Sequence, residues 1–230
     1  SGGRSSVALW LLLALLLLAG TGYAVSAPGA RPPATGAEDF IAWLGPSASS
    51  MQRRSGLPAS VVVAQGGLES GWGRSELAQR AGNLFGVKAG RSWMGPVISA
   101  TTREYRNGEW VTVPGVWREF PSSAAAVAAG LPADSLFRVY RSPAAALEDH
   151  ARVLYNGLYE AAMAYRTQPF EFARLIAPVY ATDPAYAEKI TATMRARDLT
   201  RWDVPPDQWQ LDESIVPPRH RETWRAAMAA

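Results

Sequence analysis

A mainly α-helical domain with a small β lobe is the fold class that three features of this 230-residue sequence predict. Residues 60–68, SVVVAQGGL, are apolar on every side, which a helix tolerates only at the middle of a domain. Helical apolar periods recur on both flanks of that segment. Between Trp93 and Val116, β-branched and aromatic residues surround Asn107-Gly108, a pair that favours a tight hairpin turn. At 48% apolar and 19% charged, the chain suits one sizeable core with appendages.

In chain order, residues 7–20 form the run VALWLLLALLLLAG, with no charge between Arg4 and Arg31. The run is shorter than the ~20 residues of a bilayer span, and Val25-Ser26-Ala27 before Pro28 offers a small-residue cleavage site. The expectation is a signal peptide over 1–27 cleaved after Ala27, or the same stretch kept as a membrane anchor through residues 7–25. Either outcome exports the rest to the periplasm or cell envelope, secreted or anchored. Residues 28–38 read as a Pro/Gly/Ala linker. A first amphipathic helix is expected over 37–51, interrupted near Gly45-Pro46, and Pro58 at a first-turn position opens the central helix. After the hairpin, helical periods return over 144–158, 170–177 and 184–197, and the domain, 39–203, closes near Asp203. The tail, 204–230, is broken by two Pro pairs and is expected along the domain surface, ending in a short helix. Residues 117–129 echo 137–149 at an offset of 20, a single echo and not a repeat array.

Composition excludes several chemistries. A net charge of +3 spread over scattered residues is not the footprint of a nucleic-acid binder. Cysteine is absent, so disulfides, thiolate nucleophiles and Cys-ligated zinc are ruled out. Two histidines leave little for a metal site or triad. Catalysis must then run mainly on carboxylates, and no metal or organic cofactor is expected.

The stretch from Gly56 to Ala89, GLPASVVVAQGGLESGWGRSELAQRAGNLFGVKA, resembles the signature of bacterial peptidoglycan glucosaminidases, glycoside hydrolase family seventy-three of the flagellar-rod-associated and autolysin type. TTREY at 101–105, FRVYRSPAAALEDH at 137–150 and YATDPAYAEKI at 180–190 agree with it and fall in the same order. The resemblance runs from about Phe40 to Asp203. It implies a lysozyme-like α+β domain that cleaves the β-1,4 bond after N-acetylglucosamine in peptidoglycan glycan strands, with no cofactor. A muramidase or lytic transglycosylase of the same fold is the second reading, and a wall-binding protein with an inactive site the third. No feature names a protein partner.

Glu69 closes the apolar helix, where poor solvation and the negative end of the helix dipole both disfavour a carboxylate anion. That suits a general acid at a glycosidic oxygen. Gly66, one turn back, would leave room for a sugar, and Trp72 either packs in the core or offers its ring to a sugar face. The resemblance places Asn83, Phe85 and Gly86 at the cleft, although Asn83 could satisfy a turn and Phe85 could belong to the core. Lys88 reads as a substrate contact or a solvated surface residue. Glu104 in TTREY matches the acid proposed in relatives as the partner of the helix acid, with Glu119, Asp149 and Asp183 as competitors and participation of the substrate's acetamido group as the route needing no second acid. Carboxylates roughly 6.5–9.5 Å apart would admit a water, and about 5–5.5 Å would suit a nucleophile. Tyr180 matches a family tyrosine that orients the acetamido group or bonds Glu69. Asp183, counted with the substrate contacts, also reads as a helix N-cap before Pro184. Relative to the family pattern, 117–136 is an insertion. It reads as a cleft-side flap or, alternatively, as a core seal through Val127 and Leu131.

Overall fold

The computed structural model describes residues 31–229 except 107, 108 and 182, so the export segment and the expected hairpin turn lie outside the described residues. Helix α1 (Ala37–Ser55) runs straight through Pro46. The predicted interruption is absent because tertiary packing outweighs one missing amide donor: the indole of Trp202 lies where a Cβ on Gly45 would stand, 2.3 Å away. Helix α2 (Ala59–Ser70) is the central helix, buried from Ala59 to Gly67. Pro58 precedes it as the N-cap rather than sitting in its first turn. Its free amides are satisfied by side chains from outside the helix. Asp203 accepts from the Ser60 amide at 2.8 Å and from its hydroxyl at 2.7 Å, and Gln52 Oε1 accepts from the Ala59 amide at 3.1 Å. A carboxylate there also complements the helix dipole.

Helix α3 (Glu76–Ala81) follows, N-capped by Ser75. The β lobe holds two sheets rather than one hairpin. Strands β1 (Val97–Ser99), β4 (Arg118–Phe120) and β5 (Leu136–Arg138) form an antiparallel sheet in the order β4-β1-β5. Strands β2 (Thr102–Arg106) and β3 (Glu109–Val113) pair separately, with Glu104 opposite Val111. The sequence echo has a structural counterpart. β4 leads into α4 (Ser123–Ala128) and β5 into α5 (Pro143–Leu154), the two strands flank β1, and Ser122 and Ser142 cap the two helices alike.

The 117–136 segment is therefore built into the lobe. Val97, Phe120, Ala126 and Leu136 form a small core with Trp93, Ala125 and Leu131 against it, whereas Val127 faces outward at 49% exposure. This departs from a loose flap, because strand pairing and apolar contact both hold the segment. Replacing residues 121–131 with a short Gly/Ser link is expected to cost roughly 2 kcal/mol or more, the scale of one lost buried Leu. A thermal melt unchanged by the replacement would contradict that packing.

Helices α6 (Glu160–Met163), α7 (Pro169–Tyr180) and α8 (Tyr186–Ala196) complete the helical layer; α7 and α8 pack on α2. Two segments read as appendages belong to the body. In the expected linker, Pro32 is buried, Arg31 donates to the carbonyls of Tyr140 at 2.8 Å and Arg80 at 2.6 Å, and residues 37–38 already belong to α1. The tail buries Ile215, Val216 and Trp224 against the main core, the last of them from its closing helix α9 (Arg221–Ala229).

Candidate active site

Glu69 occupies the last turn of α2, and the chain leaves that helix through three consecutive left-handed residues, Gly71, Trp72 and Gly73, at φ 58°, 60° and 80°. Glycine adopts this region freely, while a tryptophan there is strained and needs compensation. The compensation is packing. The Trp72 ring covers Gly67 so closely that a Cβ there would stand 2.5 Å from it, meets Phe40 edge-on, and carries the Arg197 guanidinium 5.7 Å above. Of the two readings of Trp72, this is the packing one. Gly66 points inward too: a Cβ there would meet Leu44, Phe85 and Phe40, so its lack of a side chain serves the core rather than a sugar.

Burial pushes the Glu69 carboxyl above its ordinary pKa, and the hydrogen bond from the Tyr186 hydroxyl, 2.6 Å away, pulls the other way. The sequence offered Tyr180 for this bond. The structure gives it to Tyr186, at the start of α8. Tyr180 is buried at the end of α7, stacked on Tyr186 with ring centroids 5.6 Å apart, and its hydroxyl has no hydrogen-bond partner among the described residues. Burial and then the nearby Glu69 charge raise the phenol of Tyr180, and the same two causes raise that of Tyr186. Both rings stay protonated, so Tyr186 is a donor to the acid. Its one sequence signal was membership of the YATDPAYAEKI block.

Behind the tyrosines, Phe85 stacks on His150 at 3.8 Å, and His150 meets Tyr180 edge-on at 5.9 Å. Phe85 is thus a core residue. His150 Nε2 faces Gln65 Oε1 at 3.2 Å, its Nδ1 has no partner among the described residues, and burial lowers its pKa to about 3. Because the folded state resists protonating this ring, the native chain binds fewer protons than the unfolded one between pH 6.5 and about 3. The contribution of this ring to stability is complete above pH 6.5 and is expected to fall as pH drops through that window, by up to about 1.4 kcal/mol per unit. Urea denaturation at stepped pH, compared with His150→Leu, checks this: the variant should lose that part of the slope.

Asn83 serves the turn that leads to the β lobe. Its amide donates to the carbonyls of Val87 and Arg138, both at 2.9 Å, and its oxygen accepts from the Val87 amide at 2.9 Å. Both donors are engaged with backbone, leaving none for a sugar. Gly86 turns the chain at φ 64°, with no described atom within 4 Å of where its Cβ would stand. This turn delivers Lys88 to Glu104, the buried carboxylate of β2. The Lys88 ammonium lies 2.8 Å from Glu104 Oε1, and the Thr102 hydroxyl is 3.3 Å from the same oxygen. Lys88 is accordingly neither solvated nor isolated.

The competing carboxylates have other engagements. Asp149 reaches across to β5 and the residues after it, accepting from Arg138 at 2.6 and 2.7 Å and from the Tyr140 hydroxyl at 2.5 Å. Glu119 pairs with Arg141 at the surface. Asp183 is half-buried, its acidity strengthened first by Lys189 at 2.6 Å and then by the Ala185 amide; Ala185, not Asp183, is the N-cap of α8. The structure therefore gathers Glu69, Tyr186, Tyr180, His150 and Phe85 into one acid-and-aromatic wall, and Glu104 with Lys88 into a second cluster on the β lobe.

Removing the Tyr186 hydroxyl tests the link to Glu69. In Tyr186→Phe the carboxyl loses a donor that favours its ionised form, so its pKa should rise further. If Glu69 works as an acid, the alkaline limb of the rate profile should move to higher pH. A limb that stays in place would separate Tyr186 from the acid.

Comparisons with known proteins show the family of the chain. A glucosaminidase family model, described as mannosyl-glycoprotein endo-beta-N-acetylglucosaminidase, matches residues 45–199. The chain is 37% identical over 163 residues to the peptidoglycan hydrolase FlgJ of Salmonella typhimurium, covering 69% of this chain and 45% of that relative. It is 32% identical over 187 residues to a probable N-acetylmuramidase of Lactococcus lactis, covering 77% and 38% respectively. The chain thus spans less than half the length of these curated relatives. Among solved structures, the catalytic domain of the autolysin Auto from Listeria monocytogenes superposes with a TM-score of 0.58 at 27% identity, over 78% of this chain and 91% of that one. The lysozyme-like helical body with a small β lobe, the acid closing its central helix and the family match over most of the domain place the chain in the glucosaminidase family of glycoside hydrolases.

Proposed function

We propose that this protein is an exported peptidoglycan hydrolase that cuts the β-1,4 bond after N-acetylglucosamine, with Glu69 as the general acid. The observation that carries this reading is Glu69 itself. It is a carboxyl with a raised pKa, held by Tyr186 at the end of a buried helix, inside the segment matched by the glucosaminidase family. Such a group keeps its proton nearer neutral pH and can deliver it to a leaving glycosidic oxygen. Glu104 is the second carboxylate in this reading, activating water or stabilising the developing cation. The apolar run at 7–20 is the support for export.

Digestion of purified peptidoglycan, followed by mass spectrometry of borohydride-reduced fragments, tests activity and bond together. Reduced N-acetylglucosamine at the new ends is the expected result. Reduced N-acetylmuramic acid would instead establish the muramidase reading, which the name of the Lactococcus lactis relative favours. No release of fragments would leave a wall-binding protein.

A further inference from the structure

We propose that Lys88 is the positioning residue for Glu104, a strut from the domain body that sets where the hairpin carboxylate stands. The inference rests on the reading of Glu104 as the second working carboxylate. A two-stranded hairpin has little stability of its own, and β2 pairs only with β3 among the described strands. A carboxylate carried on such a ribbon needs an outside anchor to hold a fixed place, and Lys88 supplies it.

Lys88 is itself fixed at both ends. Its backbone is tied to β5 by a bridge to Phe137, and its carbonyl accepts from Arg138 Nε at 3.0 Å. Its ammonium sits 4.0 Å over the centre of the Phe137 ring, donates to the Asp134 carbonyl at 2.5 Å and reaches Glu104 at 2.8 Å. A backbone carbonyl and a ring face select a direction for the ammonium, so the lysine reaches the carboxylate from a set position. The carbonyl comes from the 117–136 segment, which gives that insertion a role: its end, at 133–135, braces the lysine that braces the acid. The choice of side chain is pointed as well. Only two of the chain's 23 basic residues are Lys, and the other, Lys189, lies at the surface paired with Asp183. A compact ammonium with three donors fits between a carbonyl, a ring and a carboxylate, where a planar guanidinium would impose its own fork.

The test compares wild type, Lys88→Met, Lys88→Arg, Glu104→Gln and the double variant Lys88→Met/Glu104→Gln. Each is assayed on soluble peptidoglycan oligosaccharides for kcat and KM, with a thermal melt on the same samples. Methionine keeps an apolar stem over Phe137 and removes the ammonium. The expected result is a fall in kcat on the order of 10- to 100-fold, the scale of a misplaced reacting group. KM should stay within about twofold, Lys88→Arg should recover part of the rate, and the double variant should be no slower than Glu104→Gln alone. Losses that multiply in the double variant overturn the proposal, as does a rise in KM at unchanged kcat, which would make Lys88 a substrate contact. If Lys88→Met melts early, Lys88→Gln replaces it and the same non-additivity decides. Glu104→Gln at wild-type rate would remove the underlying reading of Glu104. A slow Glu104→Gln beside a full-rate Lys88→Met would remove the Lys88 inference alone.

Discussion

Glu69→Gln should lower wall hydrolysis on the order of 10²-fold or more while leaving the fold intact. The amide keeps the size of the carboxyl and can still accept the hydrogen bond of Tyr186, so the aromatic wall of Tyr186 and Tyr180 has no reason to move. What disappears is a proton that can be given up. The wild-type rate should also fall as pH rises through the elevated pKa of this carboxyl, because in the proposed role only its protonated form acts on the leaving oxygen. Circular dichroism checks the fold and fragment release checks the rate. A Glu69→Gln protein as fast as wild type would take Glu69 out of the mechanism.

Arg138→Met should destabilise the folded state by about 3 kcal/mol or more, since it strands a buried carboxylate without its cation. Arg138 makes two contacts with Asp149, carries its guanidinium over Trp93 and donates to the Lys88 carbonyl, so it joins α5, the β lobe and the turn after Asn83. The double variant Arg138→Met/Asp149→Leu should regain part of the loss, because it removes the stranded charge along with its partner. Urea unfolding of the three proteins measures this. Equal stability of Arg138→Met and wild type would mean that Asp149 is solvated after all, and would reopen its candidacy as the second acid.

Much of the architecture was legible because it depends on local pattern. The all-apolar run 60–68 could only be a buried helix, and the β-branched flanks of residues 107–108 could only pair. The acid at position 69 was legible for the same reason: its place at the end of that helix is a matter of spacing along one element. The continuity of α1 through Pro46 was not, because the compensation comes from Trp202, more than 150 positions away. Nor was the partner of Glu69. Tyr180 and Tyr186 lie six residues apart in one block, and only the packing of α7 against α8 decides which ring faces the carboxyl and which stacks behind it.

By itself, then, the sequence determined the class of fold, the family signature and the helix-end acid, since periodicity, turn chemistry and order of motifs are properties of the chain. Tertiary structure alone decided that Asn83 and Phe85 serve the turn and the core, that Asp149 belongs to Arg138, and that Lys88 reaches Glu104. The physical reason is common to all of these. A polar or aromatic side chain takes its role from whichever group it meets after collapse, and those meetings join positions whose separation in the chain carries no information about their separation in space.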